Sequence, residues 1–106
     1  MTNFSDMLSK AKIMQEKMRE AQDQIKKIEV EGMSGGNLVK VILKGDYELK
    51  SIEITEAAKK ESQEIINDLI IAAYNNAKEN LKKKSAEELS KITGGLNLPL
   101  DLKLPF

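Results

Sequence analysis

The apolar residues of this chain change period twice, and few folds accommodate that. From Phe4 to Ile28 they recur at alternating steps of three and four: Phe4, Met7, Ala11, Met14, Met18, Ala21, Ile25 and Ile28. A seam of that kind runs along one side of a helix. From Ile28 the period drops to two. Ile28 and Val30 alternate with Glu29 and Glu31, and Val39, Val41 and Leu43 alternate with Leu38, Lys40, Ile42 and Lys44. Ile52 and Ile54 then alternate with Ser51 and Glu53. Successive side chains of a strand point to opposite faces, so these are three short strands. Beyond Ser62, the residues Ile65, Ile66, Leu69, Ile70, Ala73, Ala77 and Leu81 restore a helical spacing, now as a wide stripe.

The expected fold is α+β, in the order α-β-β-β-α, with the three strands forming an antiparallel meander. One domain spans residues 1–106: a heptad helix at 1–27, the meander at 28–54, a second helix at 55–93 and an extended tail at 94–106. Ser5 or Asn3 can cap the first helix by accepting bonds from its free amides. Thr55 opens a short first turn of the second helical segment, and Gly94-Gly95 stops it. The tail, LNLPLDLKLPF, alternates apolar residues with two prolines and is expected to be extended and to dock on something.

One face of the sheet is apolar and needs a helix over it. The other carries Lys and Glu that face each other and can pair across strands. Leu38 and Ile42 depart from that charged pattern and point to a second cover, from another subunit. A narrow seam rich in Met and Ala suits packing of helix on helix. With only 106 residues to build a core, self-association is expected, with Met7, Met14, Met18, Leu38 and Ile42 as the candidate interface.

The loop in EVEGMSGGNLVKV, residues 29–41, raises the question of phosphate binding. A phosphate-cradling loop needs its glycines between a strand and a helix N-terminus, with Lys followed by Ser or Thr. Here Val41 follows Lys40, and the glycines lead into a strand. Gly35 and Gly36 therefore supply the positive φ angles of a hairpin turn, and Gly32 is expected at a bulge or strand end.

Composition excludes several chemistries. There is no cysteine and no histidine, so thiolate nucleophiles, sulfur-ligated metals and the commonest general base are all missing. Ser34 and Ser62 have nothing to activate them. No catalytic residue, cofactor, metal site or small-molecule substrate is expected. No apolar run approaches a membrane span and the N-terminus lacks a signal-peptide core, so a cytoplasmic location is expected.

The 17 basic and 17 acidic residues cancel, but not locally. Lys10, Lys12, Lys17 and Arg19 gather on the first helix, and Lys82, Lys83 and Lys84 late in the second. The middle of the chain is acidic. Aromatics make up 4% of the sequence, too few to stack single-stranded bases.

Several stretches, taken in order, resemble the YbaB/EbfC family of bacterial nucleoid-associated DNA-binding proteins. They are Met14-Gln15-Glu16-Lys17-Met18, then Val30-Glu31-Gly32, Gly35 and Leu38-Val39-Lys40-Val41. Ile52-Glu53-Ile54 and Asp68-Leu69 follow, with Ala72-Ala73-Tyr74-Asn75-Asn76-Ala77 after them. The chain closes with Gly95-Leu96, Leu98-Pro99 and Leu104-Pro105-Phe106. The resemblance implies a homodimer with protruding helices that binds double-stranded DNA with little sequence selectivity and associates with the nucleoid. Together with the charge pattern, it makes Lys10, Lys12, Lys17, Arg19, Lys82, Lys83 and Lys84 the candidate DNA-binding residues. The alternative is a protein–protein adaptor that acts through its heptad helix and apolar tail.

Overall fold

The computed structural model describes residues 4–92. Helix α1 (Phe4–Lys26) leads into three strands, β1 (Glu29–Ser34), β2 (Val39–Lys44) and β3 (Leu49–Ile54). A single-turn helix α2 (Glu56–Lys59) and a long helix α3 (Gln63–Ile92) follow. This is the α-β-β-β-α order set by the apolar periods. The strands pair antiparallel in the order β1-β2-β3. Ser5 falls inside the first turn of α1 rather than before it. Asn3 and the tail, for which a capping role and an extended form were expected, lie outside the described residues.

Two local devices position α3. The Thr55 hydroxyl accepts from the Ala58 amide at 3.2 Å and donates to the Leu38 carbonyl at 2.8 Å. This ties the start of α2 to the entrance of β2. Ser62 then caps α3, its hydroxyl accepting from the Ile65 amide at 3.3 Å.

Val39, Val41 and Leu43 of β2 are fully buried, and α3 lies over them with Ala73, Ala77 and Leu81 equally buried. Helix α3 packs most on β1, then on β2, and it also packs on α1. The register pairs Ile52 with Val41 and Ile54 with Val39, which puts both isoleucines in the covered row. Even so, Ile52 is 41% exposed, because the helix sits over the other two strands. The apolar face is therefore covered only in part.

The glycines divide by role. Gly35 and Gly36 turn the chain between β1 and β2 with φ of +59° and +75°, as a hairpin connection demands. Gly32 is neither in a bulge nor at a strand end. It sits mid-strand opposite Val41, and a Cβ there would run into the backbone of Ala73 and Ala77. The register irregularity falls instead at Ile42 and Leu43, between β2 and β3. Leu38 also departs from expectation. It stands in the turn before β2 and packs against the core rather than on the charged face.

Close approach at Gly32 lets α3 close the outer edge of β1. The Met33 amide donates to Asn76 Oδ1 at 3.0 Å, and Asn80 Nδ2 donates to the Glu31 carbonyl at 2.8 Å. The Ser34 hydroxyl donates to the Leu69 carbonyl at 2.6 Å. Unpaired strand edges invite pairing with other chains, and here side chains of α3 occupy one of them. Among the described residues, no such cover lies over the outer edge of β3.

Candidate nucleic-acid interface

The chain is elongated, 70 × 21 × 17 Å, because two helices leave the sheet together. Helix α1 runs toward the sheet and ends at β1, while α3 crosses the sheet and continues away from it. The two pack against each other and are therefore antiparallel. At 1.5 Å per residue, the part of α3 beyond Asn80, which still bonds to β1, reaches about 18 Å from the sheet. This pair of helices forms a projecting arm.

Both predicted basic clusters lie on that arm. Lys10, Lys12 and Arg19 on α1 are exposed, as are Lys82, Lys83 and Lys84 on α3, while Lys17 is half-buried. The three α3 lysines stay outside because Leu81, Ser85 and Glu88 hold the inward line of the helix. None of these seven cations forms an ion pair with a carboxylate of the described residues.

The lysines of the sheet are placed differently. Lys40 sits between Glu31 at 3.4 Å and Glu53 at 3.7 Å, on the two flanking strands. Lys50 meets Glu29 at 2.7 Å, and Lys44 meets Glu48 at 3.9 Å. The cross-strand pairing expected from the alternation is present. These pairs are exposed, so each is worth only a few tenths of a kcal/mol, roughly. Their effect is on the field: the sheet neutralises its own cations, while the seven candidate cations of the arm meet no carboxylate among the described residues.

Further cations share this position. Lys26 and Lys27 at the end of α1 and Lys78 on α3 are exposed and outside the ion pairs. They escaped selection in the sequence because each stands apart from the dense runs. Lys91 is engaged by Glu88 at 3.6 Å.

Of the candidate interface residues, Met7 is exposed, Met14, Met18 and Ile42 are half-buried, and Leu38 belongs to the core of its own chain. Further exposed apolar residues lie elsewhere. Leu49 and Ile52 on β3, with Ile65 and Ile71 on α3, are all more than 40% exposed. Sequence periodicity did not mark Ile52 and Ile65 as exposed because they fall in rows that look internal.

Among the described residues, no group of acids, histidines or cysteines is arranged to hold a metal ion. None of the described helices is long and apolar enough to cross a membrane.

Known proteins resemble this chain over its whole length. The chain is 41% identical to a nucleoid-associated protein of Granulibacter bethesdensis over the full length of both. It is 42% identical to nucleoid-associated proteins of Agrobacterium fabrum and Mesorhizobium japonicum, again with complete coverage of each chain. Residues 1–96 match the model of the YbaB/EbfC DNA-binding family, a family of DNA-binding proteins rather than of enzymes. The chain belongs to the YbaB/EbfC DNA-binding family.

Proposed function

We propose that the protein binds duplex DNA as a homodimer, with little sequence preference, through phosphate contacts made by the helical arms. The observation that carries this reading is the contrast in pairing: the sheet lysines are held by glutamates, whereas Lys10, Lys12, Lys17, Arg19, Lys82, Lys83 and Lys84 of the arm meet no carboxylate among the described residues. A free surface cation can replace condensed counterions on a phosphate, and the release of those ions drives association. Charge separation of this kind gives a protein of net charge zero a basic surface to present.

Dimerisation supplies the reach. The open edge of β3 and the exposed Leu49 and Ile52 make a surface that a second copy can cover. A two-fold axis there repeats each arm, so every basic cluster occurs twice at a fixed spacing. Met7, Met14 and Met18 extend the contact where the arms approach each other, and Ile42 extends it on the sheet. Phosphates carry no base information, so an interface of lysines and one arginine reads duplex shape and charge rather than sequence. The names of the relatives support a place on the nucleoid; a cytoplasmic protein bound there would act on nucleoid organisation or gene expression.

The test is a titration of AT-rich and random duplexes at several salt concentrations, with the native chain and with Lys82, Lys83 and Lys84 all changed to Gln. The native protein should lose affinity steeply as salt rises. The variant should fold normally and bind all sequences more weakly. Its log–log salt slope should shrink by roughly 0.9 for each phosphate that it no longer neutralises. Unchanged affinity and slope would move the DNA-binding surface to Lys10, Lys12, Lys17 and Arg19. If neither cluster matters and binding is absent at low salt, the protein is an adaptor.

A further inference from the structure

Each residue turns an α-helix by about 100°, so the residue after a seam position lies on one flank and the residue before it on the other. On α1 the seam residues Ala11, Met18 and Ile25 are followed by Lys12, Arg19 and Lys26. On α3 the buried Ala77 and Leu81 are followed by Lys78 and Lys82. Gln15 and Gln22 between the α1 cations, and Ala86 beyond those of α3, are uncharged. The preceding flanks differ. They hold Lys10 and Lys17 with Asp6 and Glu20 on α1, and Lys84 with Glu87 on α3.

Antiparallel packing joins like flanks. A two-fold axis at right angles to the plane of the two helices exchanges them without exchanging the faces of the pair. The flanks that follow the seam therefore emerge on one face of the arm, and those that precede it on the other. Hydrogen bonds identify the two faces. Asn76 and Asn80, one residue before Ala77 and Leu81, bond to Met33 and Glu31, so the preceding face lies toward β1.

The face turned away from β1 carries Lys12, Arg19, Lys26, Lys78 and Lys82 and no acid. All five are exposed, and none meets a carboxylate among the described residues. The opposite face sets three cations against three acids. Glu16, Asp23, Glu79 and Lys83 stand midway between seam positions, on the backs of the helices.

We propose that duplex DNA lies against the face turned away from β1, and not against the opposite one. On the reading of the protein as a phosphate binder, on which this rests, Lys26 and Lys78 join the contact set. Lys10, Lys17, Lys83 and Lys84 leave it. From Lys12 to Lys26 the row is about 21 Å long. The grooves of B-DNA are about 6 and 12 Å wide, so such a row reaches phosphates of both strands. On the opposite face, the acids repel the phosphates that its cations attract.

Two variants of equal charge test this in the full-length protein. One carries Lys12→Gln, Arg19→Gln and Lys26→Gln; the other carries Lys10→Gln, Lys17→Gln and Lys84→Gln. These helix positions are exposed or half-buried and Gln is a good helix former, so circular dichroism should show both folded. A random duplex is titrated from about 50 to 200 mM salt. Loss of three phosphate contacts should lower the log–log slope of the first variant by about 2.7. The affinity advantage of the native chain then shrinks by roughly 40-fold across that range. The second variant should change the slope by less than about one unit. Lys12→Arg, Arg19→Lys and Lys26→Arg together should keep the native slope. Equal slopes in the two Gln variants, or a larger change in the second, would overturn the choice of face while native binding persists. A native chain with no salt-sensitive binding would overturn the phosphate-binding reading itself, and this proposal with it.

Discussion

Gly32→Ala offers the sharpest trial of how α3 meets the sheet. In an ordinary strand this change is favourable by roughly 0.5–1 kcal/mol, because glycine loses more freedom on folding. Here the added methyl enters the backbone of Ala73 and Ala77, both fully buried. Carbon contacts settle near 3.5–4.0 Å, so the helix has to lift by about 1 Å or more. Overpacking of this type costs about 1–3 kcal/mol. The lift also strains the three bonds that tie β1 to α3, those of Met33 to Asn76, Asn80 to Glu31 and Ser34 to Leu69. Each contributes about 1 kcal/mol. With partial loss of these bonds, the net cost is about 3–4 kcal/mol, a large part of the roughly 5–15 kcal/mol that holds a domain of this size together.

Gly36→Ala is the control. Its φ is +75° and a Cβ there meets nothing within 4 Å, so only the left-handed backbone is penalised, by about 1–2 kcal/mol. Urea denaturation followed by far-ultraviolet circular dichroism, at matched protein concentration, compares the two. Gly32→Ala should fall well below Gly36→Ala in midpoint. A Gly32→Ala protein as stable as the native one, or more so, would show that the helix does not rest on the strand at this point.

Two further changes test other joints. Ile52→Glu places a charge in the uncovered part of the sheet face, where Ile52 is already 41% exposed, so it should leave the monomer fold intact while sedimentation shows dimers dissociating to monomers. An unchanged dimer would place the subunit contact elsewhere. Thr55→Ala removes the hydroxyl that caps α2 and bonds to Leu38, and should lower stability by about 1 kcal/mol in a urea melt with DNA affinity per folded dimer unchanged.

The periods of the apolar residues carried the architecture because helix and strand impose different repeats on whatever must face inward. The seam from Met14 to Ile25 and the row Val39, Val41 and Leu43 emerge in the structure as the sequence patterned them. How far a helix reaches is not a property of the strand it covers. Ile52 shares the phase of Val41 and lies opposite it, yet one is exposed and the other fully buried. The position of α3 over β1 and β2 decides that difference. It follows in part from Gly32, whose missing side chain draws the helix toward one edge. Nothing about that glycine distinguishes it locally from one in a bulge.

The candidate interface was legible to a similar degree. Every lysine can be read as a cation, but whether it is free depends on what the fold sets beside it. Lys40 and Lys82 look alike in the sequence, each flanked by apolar or basic neighbours. The antiparallel register puts Glu31 and Glu53 on either side of Lys40, from strands 9 and 13 residues away along the chain. On α3, by contrast, Glu79 lies exposed without an ion pair among the described residues, and the helix turns Lys82 outward with no facing strand to supply an acid. A sheet sets oppositely charged rows side by side at a spacing of about 4.8 Å, while a helix end projecting into solvent has neighbours only along its own surface. The same charges are thus spent internally on one element and left available on the other. In a chain whose charges sum to zero, the allocation of partners by the fold creates the surface that a polyanion can use.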